Sequence, residues 1–149
     1  MTTYFFACSY PLEAGSIVRA GNWGRIVRMY RTNGFGNAWI LFREEVFECI
    51  RKTEYPLKPS RYDGIFLCET KDHLMQFLDV SKRPLDLIYE ISLVDDSAPI
   101  HRGCLSHLDF SFQENFETFS IKARAYWIGD NIQRPEILTT SGVRIIAQV

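Results

Sequence analysis

Glu136 follows Pro135 and enters an apolar run in "RPEILTTSGVRI". A carboxylate pointing from there into a cleft can stabilise a developing cation or act as a base. One pointing to water is an ordinary strand glutamate, because alternation sets only which neighbours share its face. Arg61 stands beside Ser60 in "KPSRYDGIF", between Pro59 and Gly64 and just before another apolar run. A guanidinium held there can grip a diphosphate bidentately, with the Ser60 hydroxyl adding a donor. The plainer use of such an arginine is an ion pair with a surface carboxylate. As an accessible clamp, Arg61 is expected to matter for ligand binding and little for stability. "AGNWGR" (20–25) reads as a loop. Its glycines allow a tight turn or a close backbone approach, and Asn22 and Arg25 bring an amide and a five-donor fork. It suits an anionic or planar ligand, or an ordered loop with Trp23 tucked into the core.

"HRGCLSH" spaces His101, Cys104 and His107 three apart. On a helix all three could share a face and ligate zinc, but a fourth ligand is missing and Gly103 weakens the helix. The expectation is a loop with surface histidines and no metal. The chain contains no G-x-G-x-x-G, P-loop, G-x-S-x-G or H-E-x-x-H pattern.

These residues need elements to position them. "TYFFACS" reads as a first strand, and "RIVRMY" is ambiguous between strand and helix turn. Asn37 can cap a helix through "AWILFREEVFECIRKT", with Trp39, Phe42, Val46 and Ile50 on one face. "YPLKPSRYDG" breaks that helix. "IFLCE" reads as a buried strand. Thr70 can cap "KDHLMQFLDV", where Leu74, Phe77 and Leu78 form a stripe. "LDLIYEISLV" is the clearest strand. It has Leu87, Tyr89, Ile91 and Leu93 on one face, and Ile88 and Val94 on the other. Residues 95–115 read as irregular, and "FETFSIKARAYWIG" as helical in its second half. "PEILTTSGVRIIAQV" reads as a strand, a turn at Ser141-Gly142 and a last strand. The order lacks strict βαβ alternation. The expected fold is α+β in one domain over 1–149: a bent, mostly antiparallel split sheet with flanking helices.

A chain of 149 residues, 46% hydrophobic and 14% aromatic, can bury a sizeable core without staples. Its formal net charge of -1 gives no sign of a polyelectrolyte binder and leaves room for a local basic groove. Cys8, Cys49, Cys68 and Cys104 form no C-x-x-C pair and read as reduced, mostly buried thiols. "MTTYFFACSY" lacks a basic n-region and a long apolar stretch. The expectation is a cytoplasmic protein, or one delivered into a target cell by a machine that needs no such signal, without a membrane partner.

"PLEAGSIVRAGNWGR", "KPSRYDGIFLCETKDHLMQFL", "ARAYWIG" and "PEILTTSGVRII" together resemble an uncharacterised bacterial domain family that looks related to the ADP-ribosyltransferase fold. The resemblance covers most of the chain outside about 95–115. It implies that Glu136, on a late "E-x-L" strand, is the catalytic carboxylate. It also implies that the strand and helix of "IFLCETKDHLMQFL" form the cleft wall holding nicotinamide and ribose, around Phe66. An Arg or His is usual on the first strand of such folds, whereas "YFFACS" puts Phe6 there; Arg61 or Arg25 would then supply the grip. Cleavage of the nicotinamide–ribose bond of NAD passes through an oxocarbenium-like state that a carboxylate stabilises. Tyr62, Phe66, Tyr126 and Trp127 are candidate surfaces for the nicotinamide ring. Asn22, Gly24, Arg25 and Ser60 would line the dinucleotide.

The expected function is thus an NAD-dependent ADP-ribosyltransferase, without a metal, acting on a protein or nucleic-acid acceptor. A toxin or a phage–host conflict factor would fit. The alternatives are an NAD glycohydrolase and a binding or inhibitor module that has lost turnover.

Overall fold

The structure, a computed structural model, describes residues 2–129 and 132–149. Among the described residues seven strands form two antiparallel sheets. The first has the order β1 (Tyr4–Cys8), β4 (Leu87–Leu93), β7 (Val143–Gln148), β2 (Ile17–Val18). The second has the order β3 (Ile65–Leu67), β6 (Pro135–Thr139), β5 (Ile100–Cys104). One bridge joins them: Phe5 and Cys68 exchange backbone hydrogen bonds of 2.9 and 3.0 Å. The result is the mixed α+β, antiparallel, split arrangement that the element order implied.

The segment 135–148 shows how the split arises. β6 and β7 follow one another through Ser141-Gly142, yet β6 pairs with β3 and β5 while β7 pairs with β4 and β2. The turn therefore carries the chain from one sheet to the other. Residues across the gap hold it: Val94 N–H donates to the Gly142 carbonyl at 2.9 Å, and Asp95 N–H to Ser141 Oγ at 2.9 Å.

Four helices among the described residues cover the sheets: α1 (Asn22–Val27), α2 (Ala38–Glu54), α3 (Lys71–Val80) and α4 (Phe116–Ile128). Asn37 and Thr70 cap α2 and α3 as read, accepting from Trp39 N–H and His73 N–H. The apolar side chains form three clusters. Ile65, Leu67, Tyr89, Ile91, Ile137, Val143 and Ile145 fill the space between the sheets. Phe47, Ile50, Ala123, Tyr126, Trp127 and Leu138 lie under α2 and α4, and Leu74, Leu78 and Cys68 lie under α3. β6 is buried along its whole length, and alternation sends Ile137 to the inter-sheet core and Leu138 to the helices. Glu136 shares the face of Leu138 and so points toward α2 and α4. The four cysteines are free, with Cys49 exposed and the other three buried. Among the described residues no helix is long and apolar enough to cross a membrane.

Four expectations change. The "GNWGR" loop is helix α1. Gly21, at φ 101, makes the turn into it, and Gly24 lies against Tyr62, where a Cβ would sit 2.0 Å from the carbonyl oxygen. Residues 95–115 are not wholly irregular: "IHRGC" is β5, followed by a 3-10 turn at Leu105–Leu108. An edge strand of His, Arg and Gly carries little β signal of its own and forms because β6 offers it a ladder. Helix α4 begins at Phe116, not halfway along, because Asn115 and Thr118 close a reciprocal capping box. Trp39 leaves the expected buried face of α2 and is 65% exposed, while Glu44 and Glu48 turn inward.

Helix α3 ends with Arg83 N–H on the Leu78 carbonyl at 2.9 Å and Lys82 N–H on the Asp79 carbonyl at 3.2 Å. This closure places Lys82 in the left-handed region at φ 55, where glycine is the usual residue. Lys82→Gly is expected to raise the melting temperature by about 2–4 °C, the equivalent of up to about 1 kcal/mol of relieved strain. A lower melting temperature would contradict this.

Candidate functional site

Three consecutive residues after the proline break attach to three glutamates of α2. The Ser60 hydroxyl donates to Glu48 Oε2 at 2.7 Å, Arg61 pairs with Glu44, and the Tyr62 hydroxyl donates to Glu45. Glu44 and Glu48 are one helical turn apart, so one face of α2 presents both to the segment 60–62. Arg51 adds a bidentate contact to Glu48 and donates to the Lys58 carbonyl, which ties the approach to this segment onto the same helix.

Arg61 is 5% exposed and sits at the centre. Its Nε donates to Glu44 Oε2 at 2.9 Å and its Nη2 to Glu44 Oε1 at 3.1 Å. Its Nη1 donates to Glu136 Oε2 at 2.7 Å and to the Tyr126 hydroxyl oxygen at 2.8 Å. The rings of Phe66 and Tyr126 lie 4.7 and 5.1 Å from the guanidinium carbon. Arg43 and Trp23 complete the shell of Glu44, donating to its Oε1 at 3.0 and 3.2 Å. Two arginines and two carboxylates thus balance within the interior. Burial opposes the charge on Arg61, but Glu44, Tyr126 and Glu136 more than offset it and hold the guanidinium firmly protonated. Burial likewise pushes the Glu44 carboxyl up, and Arg61 and Arg43 overcome it and hold the group below its usual range.

The carboxylate of Glu136 is anchored on one oxygen. Arg61 and the Tyr126 hydroxyl, the latter at 2.7 Å, both donate to Oε2. Oε1 accepts no hydrogen bond from the described residues, and the side chain keeps 9% of its surface open. Burial drives the Tyr126 hydroxyl far above the ordinary tyrosine range, so it stays protonated and able to donate. Gly103, opposite Glu136 in the ladder, makes room: a Cβ there would stand 2.5 Å from the Tyr126 ring. Cys68 lies close enough to feel Glu136. Burial first, then Glu136 and Glu69, push its thiol up to about 12, so it is no nucleophile.

Arg61, Glu136, Tyr126 and Phe66 are therefore brought together, and Ser60 is joined to them through α2. Arg61 is not the surface ion pair of the plainer reading, nor an accessible clamp: its three nitrogens are committed to protein acceptors. Asn22 and Arg25 lie on the exposed side of α1, where Arg25 Nη2 donates to Asn22 Oδ1 at 2.6 Å. Gly24 faces the Tyr62 backbone instead of open space. Glu44, Glu45 and Glu48 were not singled out from the sequence. The signal for them was an acidic pair one turn apart, flanking the fully buried Phe47 in "REEVFE".

His101 also corrects its expectation. It is 1% exposed, on β5, wedged between the rings of Tyr126 and Trp127 at 5.0 and 5.1 Å. Its Nε2–H donates to the Tyr126 carbonyl at 2.7 Å, and its Nδ1 is buried without a partner. Burial lowers its pKa to about 4, partly offset by the Tyr126 carbonyl. His107 lies on the following 3-10 turn. Among the described residues, no group of three His, Cys, Asp or Glu side chains could hold a metal ion.

Residues 22–149 match a family described as "Protein of unknown function (DUF2441)". No curated protein matches the chain.

Arg61→Ala is expected to cost about 3–5 kcal/mol, because it strands Glu44 and Glu136 as buried charges without their shared cation. Denaturant titration checks this, and a loss under about 1 kcal/mol would contradict it. A second outcome follows from His101, whose native pKa of about 4 lies below its unfolded value of 6.5. The unfolded state then binds the extra proton, so the contribution of His101 is complete above pH 6.5 and is lost as pH falls toward 4. The melting temperature should drop by on the order of 5 °C across that window, and His101→Gln should flatten the slope. Equal slopes would remove His101 as the cause.

Proposed function

The chain belongs to the DUF2441 family of proteins of unknown function, and we propose that it is an NAD-dependent ADP-ribosyltransferase acting on a macromolecular acceptor. The observation that carries this reading is the state of Glu136. It lies on the late Glu-Ile-Leu strand with Oε2 held by Arg61 and Tyr126 and Oε1 left without a donor among the described residues. The neighbourhood supports it. β6 pairs with β3, β3 leads into α3, and the bridge from Cys68 to Phe5 brings the first strand alongside. These are the segments from which the resemblance builds its nicotinamide–ribose cleft.

In this reading the bond between the ribose anomeric carbon and the nicotinamide nitrogen breaks. The pair of electrons leaves with nicotinamide, and the sugar passes through an oxocarbenium-like state. The free Oε1 of Glu136 faces that developing charge and stabilises it electrostatically. A nucleophile of the acceptor attacks the anomeric carbon and gives up its proton. Arg61 acts as a positioning residue: it fixes the glutamate through Oε2, and Tyr126 does the same from the other side. Phe66 offers ring surface for nicotinamide. Because all three nitrogens of Arg61 are engaged by protein acceptors, the phosphates fall to exposed cations such as Arg25, which donates to Asn22 on α1.

A second reading, a binding or inhibitor module without turnover, is favoured by Phe6. That side chain packs against the inter-sheet apolar cluster where the resemblance implies a polar group. NAD glycohydrolase activity differs only in using water as acceptor.

Release of nicotinamide from NAD, with and without cell extract as acceptor source, separates these readings. Glu136→Gln keeps the size of the side chain and removes its charge. We expect a variant that still binds NAD but turns it over about two to three orders of magnitude more slowly. Equal turnover by the variant and the parent would refute the role of Glu136. NAD binding without turnover in any extract would establish the inert module, and turnover independent of extract the glycohydrolase.

A further inference from the structure

Between Ala14 and Arg43 the chain has five arginines (Arg19, Arg25, Arg28, Arg31 and Arg43) and no aspartate or glutamate, although its net charge is -1. Arg43 is ion-paired with Glu44. The other four are exposed, and none makes an ion pair with a described carboxylate. Arg25 and Arg28 lie three residues apart at the end of α1, and Arg28 stacks 4.4 Å from the centre of the Tyr62 ring. Four guanidinium groups with so few partners form a local cationic surface that the net charge conceals.

Aromatic rings follow in the next stretch of the chain. The loop after α1 folds back on Tyr30, whose ring meets Trp23 and Phe35 edge to face at 5.9 and 5.7 Å. Gly36, at φ 66, permits the fold, since a Cβ there would strike the Tyr30 ring at 2.1 Å. Arg31 N–H donates to the Phe35 carbonyl at 3.1 Å, which holds this arginine beside an exposed ring. Four residues further, Trp39 is 65% exposed in the first turn of α2. It lines a groove of about 380 Å³ with Phe110, Phe112 and Phe119, and Asn37 and Ser111 provide polar edges. The one carboxylate in the lining, Glu114, is taken up by Lys122 and by the Ser111 N–H.

Cations without counter-ions need an anionic partner, and exposed rings beside them need flat apolar faces. A strand with unpaired bases offers both at a spacing of a few residues, whereas a duplex hides its base faces. We propose that this surface binds single-stranded nucleic acid, with phosphates on Arg28 and Arg31 and bases stacked on Phe35, Trp39 and the Phe112 groove. The proposal needs no NAD and stands whether or not Glu136 is catalytic.

Fluorescence anisotropy with labelled 12-mers of oligo-dT and oligo-U, without NAD, tests it. Binding is expected at micromolar protein in 50 mM salt. Arg28→Ala and Arg31→Ala should each weaken it and lower the salt slope by about 0.7. Trp39→Ala should weaken it about tenfold with the slope unchanged. These side chains are exposed, so the melting temperatures should stay near the parent value and show that the variants are folded. A preference between the two oligomers then identifies RNA or DNA as the partner. No binding at 100 μM protein would overturn the proposal. So would heparin or a duplex bound as tightly as the oligomers, with Trp39→Ala without effect. Binding to anionic vesicles but not to the oligomers would overturn it in favour of a membrane surface.

Discussion

A guanidinium cannot shed its charge, so one that is buried dictates what surrounds it. Arg61 occupies the middle of the molecule, and its neighbours can be understood as answers to that fact. Glu44 takes two of its nitrogens, Glu136 and Tyr126 share the third, and two aromatic rings lie against the cation. The helix α2 must therefore carry carboxylates on its inner side, β6 must present a glutamate at its second position, and Gly103 must leave space for the Tyr126 ring. The loop from α2 to β3 is held at its Ser60–Tyr62 end by the same set of contacts.

The position of this cation follows from the division of the sheet. A strand buried on both faces serves two cores, and β6 does so by sending Ile137 between the sheets and Leu138 under the helices. Glu136 shares the helical face and meets α4 through Tyr126, while the turn at Ser141-Gly142 moves the chain into the other sheet. The carboxylate is thus placed by a rigid ladder, and its orientation is set by two donors on one oxygen. An arrangement of this kind restrains a side chain more firmly than a loop does.

The same residue type plays opposite parts elsewhere. Arg61 and Arg43 are desolvated and paired with carboxylates, and together they leave the interior neutral. The arginines on and around α1 are hydrated and have no carboxylate partner among the described residues. Composition averages these populations into a net charge near zero, although one contributes to the fold and the other shapes the field outside it.

What the sequence determined by itself was local. The caps at Asn37 and Thr70, the strands at 4–8 and 87–93, and the stripe of α3 each depend on neighbours within a few residues. Glu136, Arg61, Tyr126 and Phe66 were also recognisable as types suited to one chemistry. Tertiary structure alone decided that they meet. Arg61 is 75 residues from Glu136 along the chain, so no periodicity relates them. β5 was hidden because an edge strand of His, Arg and Gly is made by its partner. α1 was hidden because Gly24 inside a helix is a weak local choice that pays only when Tyr62 lies against it. The inward turn of Glu44 and Glu48 was hidden for the same reason: a glutamate faces the core only where a buried cation waits, and that cation came from a different part of the chain.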